Sequence, residues 1–283
     1  MAARRSHRHH EEASRRRVRY ARGVELLIVI GLDADLVQRL RSVLEARVVA
    51  YPAVPRIYSL EGRVFVESAS VVGKWLEPRR VVFYGYFDDA GAARRALALG
   101  STPTFPDVGM TLPLDERAMA LLLASRADEG APGRGYLPAG ISLALDKEQV
   151  LKWGSRHCGE DKARVVGPVD VTEAAVVEPF LQGRSERILL VGDHAWHLRY
   201  ESADWRKNVG ASVTTIAPDP ALVARARRTA QALGLVIAGV DYVVNEHGAT
   251  LLEVNAYPGF DGESQAADAF IDLVERWWRQ VTG

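Results

Sequence analysis

An unbroken apolar run at residues 26–32 predicts a buried first strand. Helical spacing follows over residues 33–46, with Asp33 placed as the N-cap. Residues 56–72 alternate apolar and polar positions around Gly62, which predicts a strand pair, and residues 80–85 read as another buried strand before a helix at 89–99. The first hundred residues therefore predict an α/β lobe.

Beyond it, residues 115–125 are helical in composition, and the glycine- and proline-bearing stretch 126–135 reads as a loop. Further strands are expected at 149–153, 163–166, 175–180, 187–192 and 195–200, with amphipathic helices at 218–233 and 268–281. Residues 242–244 and 250–252 are rich in β-forming side chains, and the polar run 245–248 between them reads as a hairpin turn. No internal repeat is evident.

Composition narrows the class. With 283 residues, 48% of them hydrophobic, the chain can bury a substantial core in one large domain or in two to three lobes. The apolar run 25–32 is too short to span a membrane and is not followed by a signal-peptidase-like site, so a cytoplasmic enzyme is expected. The single cysteine, Cys158, excludes an intramolecular disulfide framework. Net charge is zero but segregated: residues 1–22 hold 8 Arg against 2 Glu and very little apolar content. That segment reads as a disordered tail, either a solvated leader or a contact for an acidic partner.

Three stretches carry candidate chemistry. In 239–255, Asp241, Glu253 and Asn255 are spaced as oxygen ligands at the ends of the predicted hairpin. Glu253 and Asn255, two apart on a strand, share a face opposite Asp241, which suits either a hard cation such as Mg²⁺ or a merely polar hairpin end. In 150–165 a strand ends at Lys152, runs through a loop with Gly154 and Gly159, and resumes; a lysine and glycine-freed backbone N–H groups can cradle phosphate, although an ordinary hairpin reads the same way. It is not a Walker loop, because no Gly-Lys-Ser/Thr opens a helix. Downstream, Arg187, Arg199, Arg206 and Asn208 are donors suited to clamping a phosphoryl group or an anionic substrate.

Taken in that order, residues 24–280 resemble ATP-grasp proteins, with the 152–165 loop and Trp205-Arg-Lys-Asn208 similar to synapsin and to the RimK-like ribosomal-protein glutamate ligases. The resemblance implies an α/β (α+β) ATP-grasp fold: a tail at 1–22, an N-terminal α/β domain at 23–110, a small ATP-grasp subdomain at 111–180 and a C-terminal one at 181–283. It further implies that Lys152, Gly154, His157, Gly159 and Lys162 surround the ATP phosphates, that Glu178, Phe180 and Leu181 meet the adenine, and that Ser185 lies at the ribose. Arg187, Arg199, Arg206 and Asn208 would be catalytic donors, and Asp241, Glu253 and Asn255 would hold Mg²⁺, or Mn²⁺ in its place.

Departures from the family pattern are equally specific. Ser185 stands where an acid commonly holds the ribose, and Glu186 is one residue off, on the opposite face of a strand. Glu116 occupies the place of a first phosphate-binding lysine, for which Arg117 is the substitute, and Asp161 sits at a common glycine position. The function implied is a Mg²⁺- and ATP-dependent carboxylate–amine ligase acting through an acyl phosphate on small-molecule or peptide substrates. The alternatives are a synapsin-like regulatory ATP binder and a phosphotransferase. No membrane partner is expected, nucleic acid only through the tail, and a homo-oligomer is left open.

Overall fold

The computed structural model describes residues 25–87, 90–154, 161–206, 209–260 and 263–280. The first part of the chain forms β1 (Leu26–Ile30), α1 (Ala34–Val43), β2 (Arg47–Tyr51), β3 (Ile57–Leu60), β4 (Arg63–Glu67), β5 (Trp75–Leu76), β6 (Arg80–Phe83), α2 (Ala90–Leu99) and β7 (Thr104–Phe105). A short α3 (Val108–Thr111) leads to α4 (Arg117–Ala127), β8 (Gly135–Leu137), β9 (Ile141–Trp153), β10 (Lys162–Val171) and β11 (Ala175–Pro179). The remainder is β12 (Arg184–Val191), β13 (His194–Glu201), β14 (Ser212–Ile216), α5 (Pro220–Ala232), β15 (Ile237–Asn245), β16 (Gly248–Asn255) and α6 (Ser264–Gln280).

Four sheets result. β2-β1-β6-β7 is parallel, and its central strand is buried on both faces, as parallel strands usually are. Leu27 and Val29 of β1 enter a large core shared with α1, α5, α6 and the sheet β14-β13-β12-β15-β16. Leu26, Ile28 and Ile30, on the other face, pack with α2 and the small sheet β3-β4-β5. The antiparallel sheet β10-β9-β11-β8 has its own small core around Leu151, Val171 and Ala175.

Local chemistry explains the element ends. Asp33 caps α1 as expected, its Oδ1 accepting from Leu36 N at 2.8 Å. The β3–β4 turn sits on Glu61 and Gly62, both with positive φ (52° and 76°), the geometry of a type I′ hairpin. Helix α6 places Ala266, Ala269, Phe270, Ile271, Val274 and Trp278 in one buried stripe, its helical spacing obvious in the sequence. Strands β2, β5, β7, β8 and β14 fall where none was expected. Strand β9 begins at Ile141 rather than 149, and β10 runs on to Val171. No helix among the described residues is long and apolar enough to cross a membrane. The tail at 1–22 lies outside the described residues.

Candidate active site

Register across β14-β13-β12-β15-β16 sets one transverse row: Thr215 beside Leu198, Leu198 beside Arg187, Arg187 beside Asp241, and Asp241 beside Glu253. Directly opposed residues share a face, so Arg187, Asp241 and Glu253 project together. Next to this row the β15–β16 ladder slips: Asp241 opposes Glu253 but Tyr242 opposes Leu251. Leu252 is the extra residue of a β-bulge. Two positions beyond Glu253, Asn255 opposes Gly239 and donates from Nδ2 to Asp241 Oδ2 at 2.9 Å.

Arg187 closes on Asp241 with two parallel bonds, Nε to Oδ1 at 2.6 Å and Nη2 to Oδ2 at 2.8 Å. Its guanidinium also lies 5.3 Å from the Tyr200 ring centroid. Asp241 is 4% exposed, and burial pushes its carboxyl pKa up against the opposing pull of Arg187. Burial also works against the charge of Arg187, but Asp241 outweighs it and the guanidinium is held more firmly protonated than usual. Lys162 Nζ stands 3.7 Å from Glu253 Oε2, a charge contact longer than a hydrogen bond. Two carboxylates and a carboxamide on neighbouring strands, Asp241 in the middle of β15 and Glu253 and Asn255 at the end of β16, are a donor set suited to a hard divalent cation, and Arg187 and Lys162 balance the acids here.

The facing wall is the β9–β10 hairpin. Lys152 and Lys162 are register partners, and Lys152 pairs with Glu178 of β11. Both are nearly inaccessible, at 3% and 2%. Burial lowers the pKa of Lys152, with Glu178 opposing that shift and Lys162 adding to it. Glu178 also accepts from Arg134 Nε at 2.8 Å. The sequence reading passed over Arg134, which lies in a glycine- and proline-bearing loop. No local signal in the sequence marks it.

Between the walls lies an open cleft of about 410 Å³, lined by Lys152, Lys162, Glu178, Phe180, Leu181 and Arg206 together with Val150, Trp205, Val243 and Leu252. Phe180 meets Trp205 edge-on at 6.3 Å, and the Arg164 guanidinium stacks 4.0 Å from the Phe180 ring centroid. Arg206 binds Asp204 through Nε at 2.9 Å and Nη2 at 2.6 Å, and these bonds hold the Asp204 carboxyl down at about 2.

The remaining expected residues divide. Arg117 is buried, its Nη1 donating to the carbonyls of Trp153 and Asp161, so it braces the two ends of the β9–β10 turn. Burial lowers its pKa. Glu116, at the expected lysine position, is the N-cap of α4, accepting from Ala118 N and Met119 N. Asp161 adopts the left-handed backbone that glycine favours, with φ 53°. Gly154 beside it has φ 65°, in the left-handed region where a side chain is strained, and a Cβ there would also come within 2.8 Å of Asp161 Oδ2. Ser185 is buried on the same face as Arg187, two residues away along β12.

Arg199 is a correction. It opposes Glu186, not Arg187, and bonds Glu186 Oε1 through Nε at 3.2 Å and Nη2 at 3.1 Å. Strand alternation puts that pair, with His197 Nε2 2.9 Å from Glu186 Oε2, on the reverse face of the sheet. Arg199 is therefore not among the residues at the cleft. Glu186 faces away from Ser185, as the alternation required. His157, Gly159 and Asn208 lie outside the described residues.

Comparisons with known proteins fit this architecture. A RimK-like ATP-grasp domain model matches residues 164–276. A probable alpha-L-glutamate ligase of Citrobacter koseri is 30% identical over 226 residues, covering 69% of this chain and 73% of that protein. In fold, the chain is similar to D-alanyl-alanine synthetase A from Vibrio cholerae, with TM-score 0.63, 11% identity and coverage of 90% and 99% of the two chains. It is similar also to the ATP-grasp ligase PsnB, solved with Mg and ADP, with TM-score 0.54, 16% identity and coverage of 89% and 99%. The chain thus belongs to the RimK-like ATP-grasp family and is an ATP-dependent ligase.

Proposed function

We propose that the chain joins a carboxylate to an amine at the expense of Mg·ATP, through an acyl phosphate. The observation that carries this reading is the approach of two opposite charge sets: Lys152 and Lys162, which line the cleft, on one hairpin, and Asp241, Glu253 and Asn255 on the other, with Lys162 and Glu253 3.7 Å apart. In this reading Lys152 and Lys162 take the ATP phosphates, and Phe180, Leu181 and the chain at Glu178 take the adenine. Ser185 takes the ribose through a hydroxyl alone. Gly154 lets the loop turn, His157 and Gly159 complete it, and Arg117 holds its base rather than the nucleotide. Asp241, Glu253 and Asn255 hold Mg²⁺, which neutralises charge on the phosphates when bound; Mn²⁺ satisfies the same oxygen set.

The chemistry then needs no side-chain nucleophile. A substrate carboxylate oxygen attacks the γ-phosphorus and ADP leaves; an amine attacks the acyl carbon, phosphate leaves, and the amine gives up its proton. Arg187, Arg206 and Asn208 serve as donors for the charge that spreads over the transferred group. We place the division of labour at 23–110 for carboxylate access, 111–180 for the nucleotide wall and 181–283 for the metal wall. The named relative is a probable glutamate ligase, which supports an amino-acid or peptide substrate for this chain. The test is mass spectrometry of products formed from Mg·ATP and a metabolite extract. An amine-dependent amide product with ADP is expected from the wild type and none from Glu253→Gln. ATP binding without amine-dependent turnover would instead support a synapsin-like regulator, and a stable phosphorylated product a phosphotransferase.

A further inference from the structure

Arg134 precedes β8 by one residue, and its side chain is 7% exposed. All three of its nitrogens are engaged. Nε donates to Glu178 Oε2 at 2.8 Å, and Nη1 donates to Leu121 O at 3.3 Å and to Ser125 Oγ. Nη2 donates to Leu252 O at 2.6 Å and, more weakly, to Leu251 O at 3.4 Å. One guanidinium thus links α4, the strand β11 that faces Lys152, and the strand β16 that carries Glu253.

Two of these contacts fall at points where the site is sensitive. Leu252 is the bulge residue, and a bulge leaves a carbonyl outside the ladder that must find a donor elsewhere. Arg134 supplies that donor immediately before Glu253. Glu178, in turn, is shared between Arg134 and Lys152. A carboxylate whose charge is divided between two cations holds each less tightly than it would hold one. Lys152 therefore keeps charge to offer an incoming phosphate while its buried ammonium stays neutralised.

We propose that Arg134 is a positioning residue for the nucleotide: by sharing Glu178 it tunes Lys152, and by holding the Leu252 carbonyl it aims Glu253 into the same cleft. The proposal rests on the Mg·ATP reading above. It assigns Arg134 no contact with substrate. A residue that served stability alone would show its loss in melting temperature and not in nucleotide affinity or metal geometry.

The experiment is a double-mutant cycle of Arg134→Ala and Glu178→Gln, read by calorimetric titration with the Mg²⁺ complex of the non-hydrolysable β,γ-imido analogue of ATP. Electron paramagnetic resonance of the Mn²⁺ complex is recorded in parallel. Arg134→Ala should weaken binding by about tenfold or more, as loss of a hydrogen bond to a charged group does. The double variant should bind no worse than the weaker single variant, because the two act through one network. The Mn²⁺ spectrum should change in Arg134→Ala. If Arg134→Ala does not fold, Arg134→Lys carries the test: it keeps the charge but cannot span three elements, and the same non-additivity is expected. Wild-type affinity and an unaltered Mn²⁺ spectrum in a folded Arg134 variant, or fully additive losses, would overturn the inference. Failure of the wild type to bind the Mg²⁺–nucleotide would overturn the underlying reading and the inference with it.

Discussion

The two hairpins that face the cleft are built on opposite plans. In β15–β16, Val240, Tyr242 and Leu251 are wholly buried in the largest core, and Asp241 has Arg187 on both its oxygens. In β9–β10, burial is confined to residues 150–152 and to Val171, while residues 141–149 are exposed or half-exposed over a small separate core. Before any ligand arrives, packing density fixes in place the wall proposed to hold the metal. The β9–β10 wall is a lightly anchored sheet whose ties to the remainder run through a few charged side chains, Arg117 and Arg134 among them. A ligand that must enter, react and leave is better served by one rigid wall and one that can yield.

The largest effect expected is on the rigid wall. Glu253→Gln should lower kcat on the order of 10³-fold, because the charge stabilisation that a bound metal supplies is worth several kcal/mol; steady-state ADP release measures it. The same wall should be the more costly to break. Arg187→Met leaves a buried carboxylate without its partner and should cost about 3–5 kcal/mol in denaturant unfolding. Lys152→Met should cost less, since Arg134 still holds Glu178. Equal losses would erase the contrast between the hairpins.

Between the walls, Arg206→Ala should remove about 2.7–4 kcal/mol of transition-state stabilisation, as loss of one aimed donor does elsewhere; an unchanged kcat/KM would remove Arg206 from the site. On the yielding wall, the sign of the pH effect follows from burial. Burial lowers the pKa of Lys152, so its ammonium is lost on the acid side of an ordinary lysine. Nucleotide affinity should fall as pH rises through that lowered value, and Lys152→Arg should move the alkaline limb upward. The smallest effect belongs to the reverse face. Arg199→Ala should leave kcat/KM within about twofold, the usual scale for a side chain outside the reacting groups.

Much of this was legible in the sequence. The Asp241, Glu253, Asn255 spacing, the Lys152 turn and the helical stripe of α6 all follow from periods of two and 3.6 residues. The misplacement of Arg199 has a definite cause: a strand's faces follow from its register, and register with β12 is set by pairing across the sheet, not by the local run of residues. The true length of β9 was missed although Ile141, Leu143 and Leu145 alternate along its outer half and lie half-buried against the small core. The bulge at Leu252 and the reach of Arg134 to it are tertiary facts with no local signature. Ser185 at a position where the family places an acid was read from sequence, and the geometry puts it beside Arg187 on the cleft-facing side of β12.

The central claim is that a carboxylate is activated by phosphoryl transfer at this cleft, and oxygen tracing tests it most directly. The protein is given Mg·ATP, an amine-bearing amino-acid mixture, and amino acids whose carboxylates carry ¹⁸O, and the released phosphate is examined by mass spectrometry. An acyl phosphate predicts one ¹⁸O in each phosphate released with amide product, and none with Glu253→Gln. Amide product accompanied by unlabelled phosphate would contradict the account.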